Sequence, residues 1–260
     1  MEKLREEKLM NYIQRIMKNL KNLQNNIKNK KEKTDAQRAK VFTKVGKEIS
    51  IAVREGGPDP ASNSKLRDLI QRAKTLNVPN DNIERIIKKA SGADGVVYEE
   101  IVYEGYGPSG VAVIVEAATD NRNRTGGDIR HFFDKYGGNL GQTGCVSYMF
   151  EDKGIIIVLR DDKIDEDALM EAALEAGAGD FSADEDAFEI SCECDDLNTV
   201  REALEAAGYN VESAEEDRIP TSYITLESED DIKNMNLLLE HLEDSDDVQE
   251  VYHNWENCDE

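Results

Sequence analysis

The sequence predicts an α+β multidomain protein, with an N-terminal all-α three-helix domain, a middle α+β domain, and a ferredoxin-like domain inserted into the middle one. Three observations predict it. Helical periodicity with start and stop signals runs through residues 30–92, and β-branched runs that favour extended chain begin near Tyr98. The elements between residues 153 and 220 follow the order β-α-β-β-α-β of a split βαβ unit. Two strands and a helix precede that unit and the same kinds of element follow it, which is the pattern of an insertion. The expected boundaries are an extra amphipathic helix over 1–29, a basic all-α domain over 30–92, a middle domain over 93–152 with 221–260, and the insert over 153–220.

Taken in order, residues 1–29 place Leu9, Ile13, Ile16, Leu20, Leu23 and Ile27 at alternating spacings of four and three, a heptad seam that suits docking on its own domain or on a partner. Thr34 and Gln37 have the spacing of a capping box, so a helix is expected to start there. Along it Phe42, Val45, Ile49 and Ala52 fall on one side, and Lys40, Lys44, Lys47 and Arg54 share a wedge roughly 80° wide on the other. Ile51 lies inside that wedge, so part of the basic face is expected to pack. The breakers of residues 55–60 make a loop. A second helix over about 63–76 turns Leu66, Leu69, Ile70 and Ala73 inward, and a third, opened by Asp81 with Glu84 and stopped at Gly92, turns Arg85, Lys88 and Lys89 outward. Strands follow at 99–104 and 111–117, then a helix capped by Thr125, a strand at 145–150, the split βαβ unit, and finally strand 222–227, helix 231–242 and strand 248–255.

Charge is divided along the chain. The net charge is -23, but residues 1–92 carry 22 Lys and Arg against 11 Asp and Glu, and residues 93–260 carry 10 against 44. The bulk charge argues against nucleic acid and anionic membranes as partners, while the basic part is a separate electrostatic object. Four cysteines without a C-x-x-C pair do not form a disulfide scaffold or a zinc site, and a reducing cytoplasm fits them. No run approaches a membrane span, and the acidic residues Glu2, Glu6 and Glu7 do not suit a secretory or transit leader.

Gly105 to Gly110 reads G-x-G-x-x-G, the dinucleotide fingerprint, but a strand follows where a helix is required, so a hairpin turn is expected and no cofactor. The Gly-rich residues 138–144 lack the Lys-Ser/Thr of a phosphate loop and read as a connection. Cys192 and Cys194 share a strand face with Phe188 and Ile190 and read as core. His131, His241 and His253 are scattered, and no catalytic or metal site is expected from them. In Thr119 to Thr125, TDNRNRT, the Asp and Asn can simply turn the chain and cap a helix. Arg122 and Arg124 can instead line a cleft as anion contacts.

The stretches DAQRAKVFTKVGKEI, REGGPDP, VPNDNIERIIKK, YEGYGPSGVAVIVE, TDNRNRT and KYGGNLG closely resemble the YebC/PmpR family, whose eukaryotic relatives include the mitochondrial translational activator of cytochrome oxidase. The resemblance runs from about Thr34 to the C-terminus. It implies the same three-domain fold and a DNA-binding transcriptional regulator, or a ribosome-associated factor that helps translation of difficult sequences such as proline runs. Family members usually begin with an arm resembling Gly-His-Ser-Lys-Trp, which the heptad-like residues 1–24 replace here. Gly126 and Gly127 are poor helix formers for the start of the helix after TDNRNRT.

The expected function is therefore a non-enzymatic cytoplasmic nucleic-acid-binding regulator of gene expression, acting on DNA or on ribosomal RNA and the ribosome. The candidate phosphate contacts are Lys30, Lys31, Lys33, Arg38, Lys40, Lys44, Lys47 and Arg54, with Arg122 and Arg124 as cleft contacts. No RNA-binding signature or zinc finger is present, and residues 70–89 make only a loose helix-turn-helix, so structured RNA met through shape and phosphate suits these residues better than base readout. A protein-interaction scaffold working through the acidic surface, and an enzyme using the cleft near Arg122 and Arg124, are the readings from other classes. Oligomeric state is not legible.

Overall fold

The computed structural model describes residues 35–92, 95–161, 164–184 and 186–258, with side chains from Ala39 onward. The expected helix over 1–29 and the Thr34 cap lie outside these residues. Among them are seven α-helices and two four-stranded antiparallel sheets. The chain divides into two compact units, Lys33–Met149 with Ser222–Glu260, and Phe150–Thr221.

The larger unit begins with three helices, α1 (Asp35–Gly56), α2 (Ser64–Thr75) and α3 (Asn80–Ala90). Val45, Ile49, Ala52 and Val53 of α1 close on Leu66 and Ala73 of α2 and on Ile83 and Ala90 of α3, with Val78 between them. Gly57 ends α1 in the left-handed region, φ 86°, returning its N–H to the Val53 carbonyl. Asn63 then caps α2: its Oδ1 accepts the Leu66 N–H at 3.0 Å, and its amide donates to the carbonyls of Ala52 and Gly57 at 2.8 and 2.9 Å. The start of α3 differs from the expected capping box. Pro79 is the N-cap without a side-chain bond, and Asp81 sits inside the first turn, where its charge still favours the helix N-terminus. Ser91 is the C-cap, which puts Gly92 at the position just past it, where the stop was expected.

Strands β1 (Glu99–Tyr106) and β2 (Ala112–Thr119) form an antiparallel hairpin from Glu99↔Thr119 to Tyr106↔Ala112, and the G-x-G-x-x-G stretch makes its turn. Its glycines serve close packing: a Cβ on Gly105 would stand 2.6 Å from the Asn139 carbonyl, and one on Gly107 2.7 Å from the Met235 sulfur. Helix α4 (Arg122–Lys135), the short β3 (Asn139–Leu140), α7 (Glu229–Asp244) and β8 (Val248–His253) complete a sheet of order β3-β1-β2-β8. Ile129 and Phe133 of α4 and Met235, Leu238 and Leu242 of α7 pack with Val113, Val115 and Trp255.

Three local expectations are corrected in this unit. Asn121 caps α4, with its Oδ1 taking the Arg124 N–H at 3.1 Å, and Thr125 lies buried within the helix. Cys145 is not in a strand; residues Ser147–Met149 form a 3-10 turn. The strand expected at 222–227 reduces to one parallel bridge between Ile224 and Trp255.

The smaller unit holds β4 (Phe150–Leu159), α5 (Glu166–Ala176), β5 (Asp180–Ala183), β6 (Ala187–Cys192), α6 (Leu197–Ala206) and β7 (Val211–Pro220). The sheet order is β5-β6-β4-β7 with antiparallel neighbours, the order of a split βαβ unit. Asp165 caps α5 and Gly177, φ 108°, ends it. Cys192 is buried with Phe188 and Ile190, whereas Cys194 has left the strand for a 3-10 turn and is not core.

Candidate nucleic-acid interface

The basic wedge of α1 is not an open face. Lys47 is only 7% exposed, and its ammonium donates to Asp247 Oδ1 at 2.5 Å and to the carbonyls of Asp246 and Ala118 at 2.8 and 3.1 Å. It also lies 5.5 Å from the centre of the Tyr98 ring. Lys40 pairs with Asp244 at 2.8 Å, and Lys44 donates to the Glu243 carbonyl at 3.1 Å. Ile51, in the same wedge, is buried. Arg72 of α2 extends the seam, reaching Glu48 and Glu250 at 3.3 and 3.1 Å. The expectation that Lys47 meets phosphate is therefore corrected: three internal acceptors satisfy it in a site that water hardly reaches.

The cause lies at the end of α7. Its last turn is the negative end of the helix dipole, and the run Glu243, Asp244, Asp246, Asp247 adds like charge to that end. Such an arrangement requires cations, and α1 brings them. Burial pushes the Asp247 carboxyl up, but hydrogen bonds from Arg124, Lys47 and Thr125 outweigh it and hold the group far below the usual carboxylate range. Burial likewise lowers Lys44, against Glu250 and Glu243.

Arg124 belongs to the same network. Its guanidinium takes Asp247 at 2.7 Å and Asp120 at 2.8 Å, and Asp247 also accepts from the Thr125 hydroxyl at 2.7 Å. The expected anion contact at Arg124 is thus already filled by carboxylates of the chain itself. Arg122 is exposed in the first turn of α4. Arg54 is exposed and donates to the Gly95 carbonyl at 2.7 Å. Lys30, Lys31 and Lys33 lie outside the described residues, as does the Arg38 side chain.

Other cations of the helical domain are uncommitted. Lys74, Lys88 and Lys89 are exposed, and their ammonium groups make no hydrogen bond or ion pair among the described residues. Arg85 donates to Asn82 on its own helix at 3.1 Å, and Arg67 stands 4.0 Å from its neighbour Asp68. On α3, Arg85 and Lys88 project from the side opposite Ile83 and Ala90, with Lys89 at its flank. Arg67 and Lys74 were not legible as site residues, because α2 taken alone carries several cations around its surface and nothing local says which ones the fold consumes. The acidic run at the end of α7 is the signal from which the loss of Lys47 could have been read.

Family models match most of the chain: "TACO1/YebC protein N-terminal domain" over residues 22–93 and "TACO1/YebC second and third domain" over 98–255. The chain belongs to the TACO1/YebC family. A probable transcriptional regulatory protein of Acetivibrio thermocellus is 58% identical over 225 residues, 86% of this chain and 93% of that one. One of the same description from Ruminiclostridium cellulolyticum is 59% identical over 227 residues, 87% of this chain and 92% of its own. The crystal structure of a conserved hypothetical protein from Aquifex aeolicus superposes with a TM-score of 0.76 at 46% identity, covering 86% of this chain and 92% of that chain. Residues 1–21 precede the stretch that the TACO1/YebC models match. No described helix is long and apolar enough to cross a membrane.

Proposed function

We propose that this TACO1/YebC protein is a nucleic-acid-binding regulator of gene expression that works without catalysis, its helical domain meeting phosphate. The observation that carries this reading is the division of cations within that domain: Lys47 and Arg72 are consumed by the chain's own carboxylates, while Arg67, Lys74, Arg85, Lys88 and Lys89 are exposed and held by none outside their own helices. A chain of net charge -23 that gathers 22 Lys and Arg before residue 93 approaches a polyanion basic side first. Lys30, Lys31, Lys33 and Arg38 extend the contact set, and Lys40 and Lys44 border it. These are phosphate contacts, which position a protein on a helix without reading sequence. The description of the relatives as probable transcriptional regulatory proteins supports regulation of gene expression.

The test is association with ribosomes and with genomic DNA fragments, each measured across a salt series, for the natural chain and for Lys88→Glu/Lys89→Glu. Affinity is expected to fall as salt rises, with a logarithmic slope of about 0.9 per neutralised phosphate on duplex DNA, and the double reversal should weaken binding and flatten the slope by about two contacts. Association with both targets that is unchanged by the reversal at matched salt would overturn the reading.

A further inference from the structure

We propose that residues 1–29 of this chain dock on the outer face of α5, in the acidic inserted unit. Helix α5 is apolar on two sides. Leu169 and Ala173 are fully buried beneath it, yet Met170 and Leu174 are 38% and 50% exposed, four positions apart and so one turn above another on the outer surface. Glu166, Asp167, Glu171 and Glu175 are exposed around this apolar stripe. A Met–Leu pair left in water at the centre of a strongly acidic surface is the kind of feature that a covering segment accounts for.

The chain contains a segment of complementary chemistry. Leu9, Ile13, Ile16, Leu20, Leu23 and Ile27 form an apolar seam with helical spacing, and from Lys8 to Asn29 there are five basic residues and no acidic one. The unit Phe150–Thr221 carries 23 Asp and Glu against 5 Lys and Arg. An apolar seam flanked by cations therefore matches an apolar stripe flanked by carboxylates, as in the laying of an amphipathic helix along a groove. Helix α5, 11 residues and about 16 Å long, is covered by roughly three turns of such a segment. Phosphate binding would use the lysines alone and leave the seam without a purpose. Most of the segment precedes the part of the chain matched by the family model, so the contact is an addition of this chain to the shared fold.

Amide hydrogen exchange in residues 166–176 tests this in the full chain, in a chain lacking residues 1–29, and in Ile16→Asp/Leu20→Asp. At low salt the full chain is expected to exchange about tenfold more slowly there than either altered chain, and the difference should shrink as salt rises. In the full-length Met170→Glu/Leu174→Glu protein, whose altered side chains are already exposed, trypsin should cut at Lys18 and Lys21 faster than in the natural chain. Equal exchange at residues 166–176 with and without residues 1–29 would overturn the proposal. So would protection that appears only as protein concentration rises, which assigns the stripe to a second copy.

Discussion

Lys47 and Asp247 stand 200 positions apart in sequence and form a largely buried ion pair at 2.5 Å that ties α1 to the turn after α7. Each has further partners: Lys47 has the carbonyls of Ala118 and Asp246, and Asp247 has Arg124 and Thr125. A buried charge pair is stable only when its remaining donors and acceptors are filled in this way, and removing one partner exposes the cost of desolvating the other.

Asp247→Ala is therefore expected to destabilise the protein by about 3 kcal/mol, since it strands Lys47 and frees Arg124. Lys40→Ala, which breaks an exposed pair with Asp244, should cost less than about 1 kcal/mol. Urea denaturation of the larger unit's transition measures both.

Acid should act through the same residue. A carboxyl held below its ordinary range contributes stability that is present above the unfolded pKa and disappears as pH falls through the folded one. The Asp247 contribution is thus intact above about pH 4 and lost progressively below it. Stability profiles from pH 7 downward should show a shallower acid limb in Asp247→Ala than in the natural protein.

Glu104 is a second carboxylate of this kind, 3% exposed, accepting the N–H groups of Gly144, Val146 and Ser147 at 2.7, 2.9 and 2.9 Å. Burial pushes its carboxyl up and the three donors bring it below the ordinary value. Glu104→Gln turns an amide donor toward one of those N–H groups and should cost about 1–3 kcal/mol, with faster hydrogen exchange at residues 144–147.

The glycines divide by environment. Gly105→Ala brings a methyl within 2.6 Å of the Asn139 carbonyl and 2.9 Å of Phe133, and should destabilise by about 1–3 kcal/mol. Gly127 is exposed within α4, and a methyl added there would meet no atom within 4 Å, so Gly127→Ala should stabilise by about 0.5–1 kcal/mol. Thermal unfolding of the two variants should move in opposite directions.

Local chemistry alone was enough to place many elements. The limits of α5 follow from Asp165 and Gly177, those of α2 from Asn63 and the following Asn77-Val-Pro79, and the hairpin reading of Gly105 to Gly110 from the strand that follows it. Each depends on backbone groups a few residues away, and such groups are visible in the sequence. The division of charge at residue 92 and the family motifs were legible for the same reason.

What the tertiary structure decided is which polar groups were already spent. Thr125 has the chemistry of a cap, yet its hydroxyl is buried and goes to Asp247, while Asn121 caps the helix. Lys47 and Lys88 are both lysines on basic helices; one is enclosed by acceptors from residues 118, 246 and 247, and the other is left to solvent. Helical periodicity assigns a cation to a face, but the partner of that face comes from the far end of the chain. Only the packing of α1 against the end of α7 separates the lysines that hold this protein together from those left at its surface, because a charge is available for binding only where folding has left it solvated and unpaired.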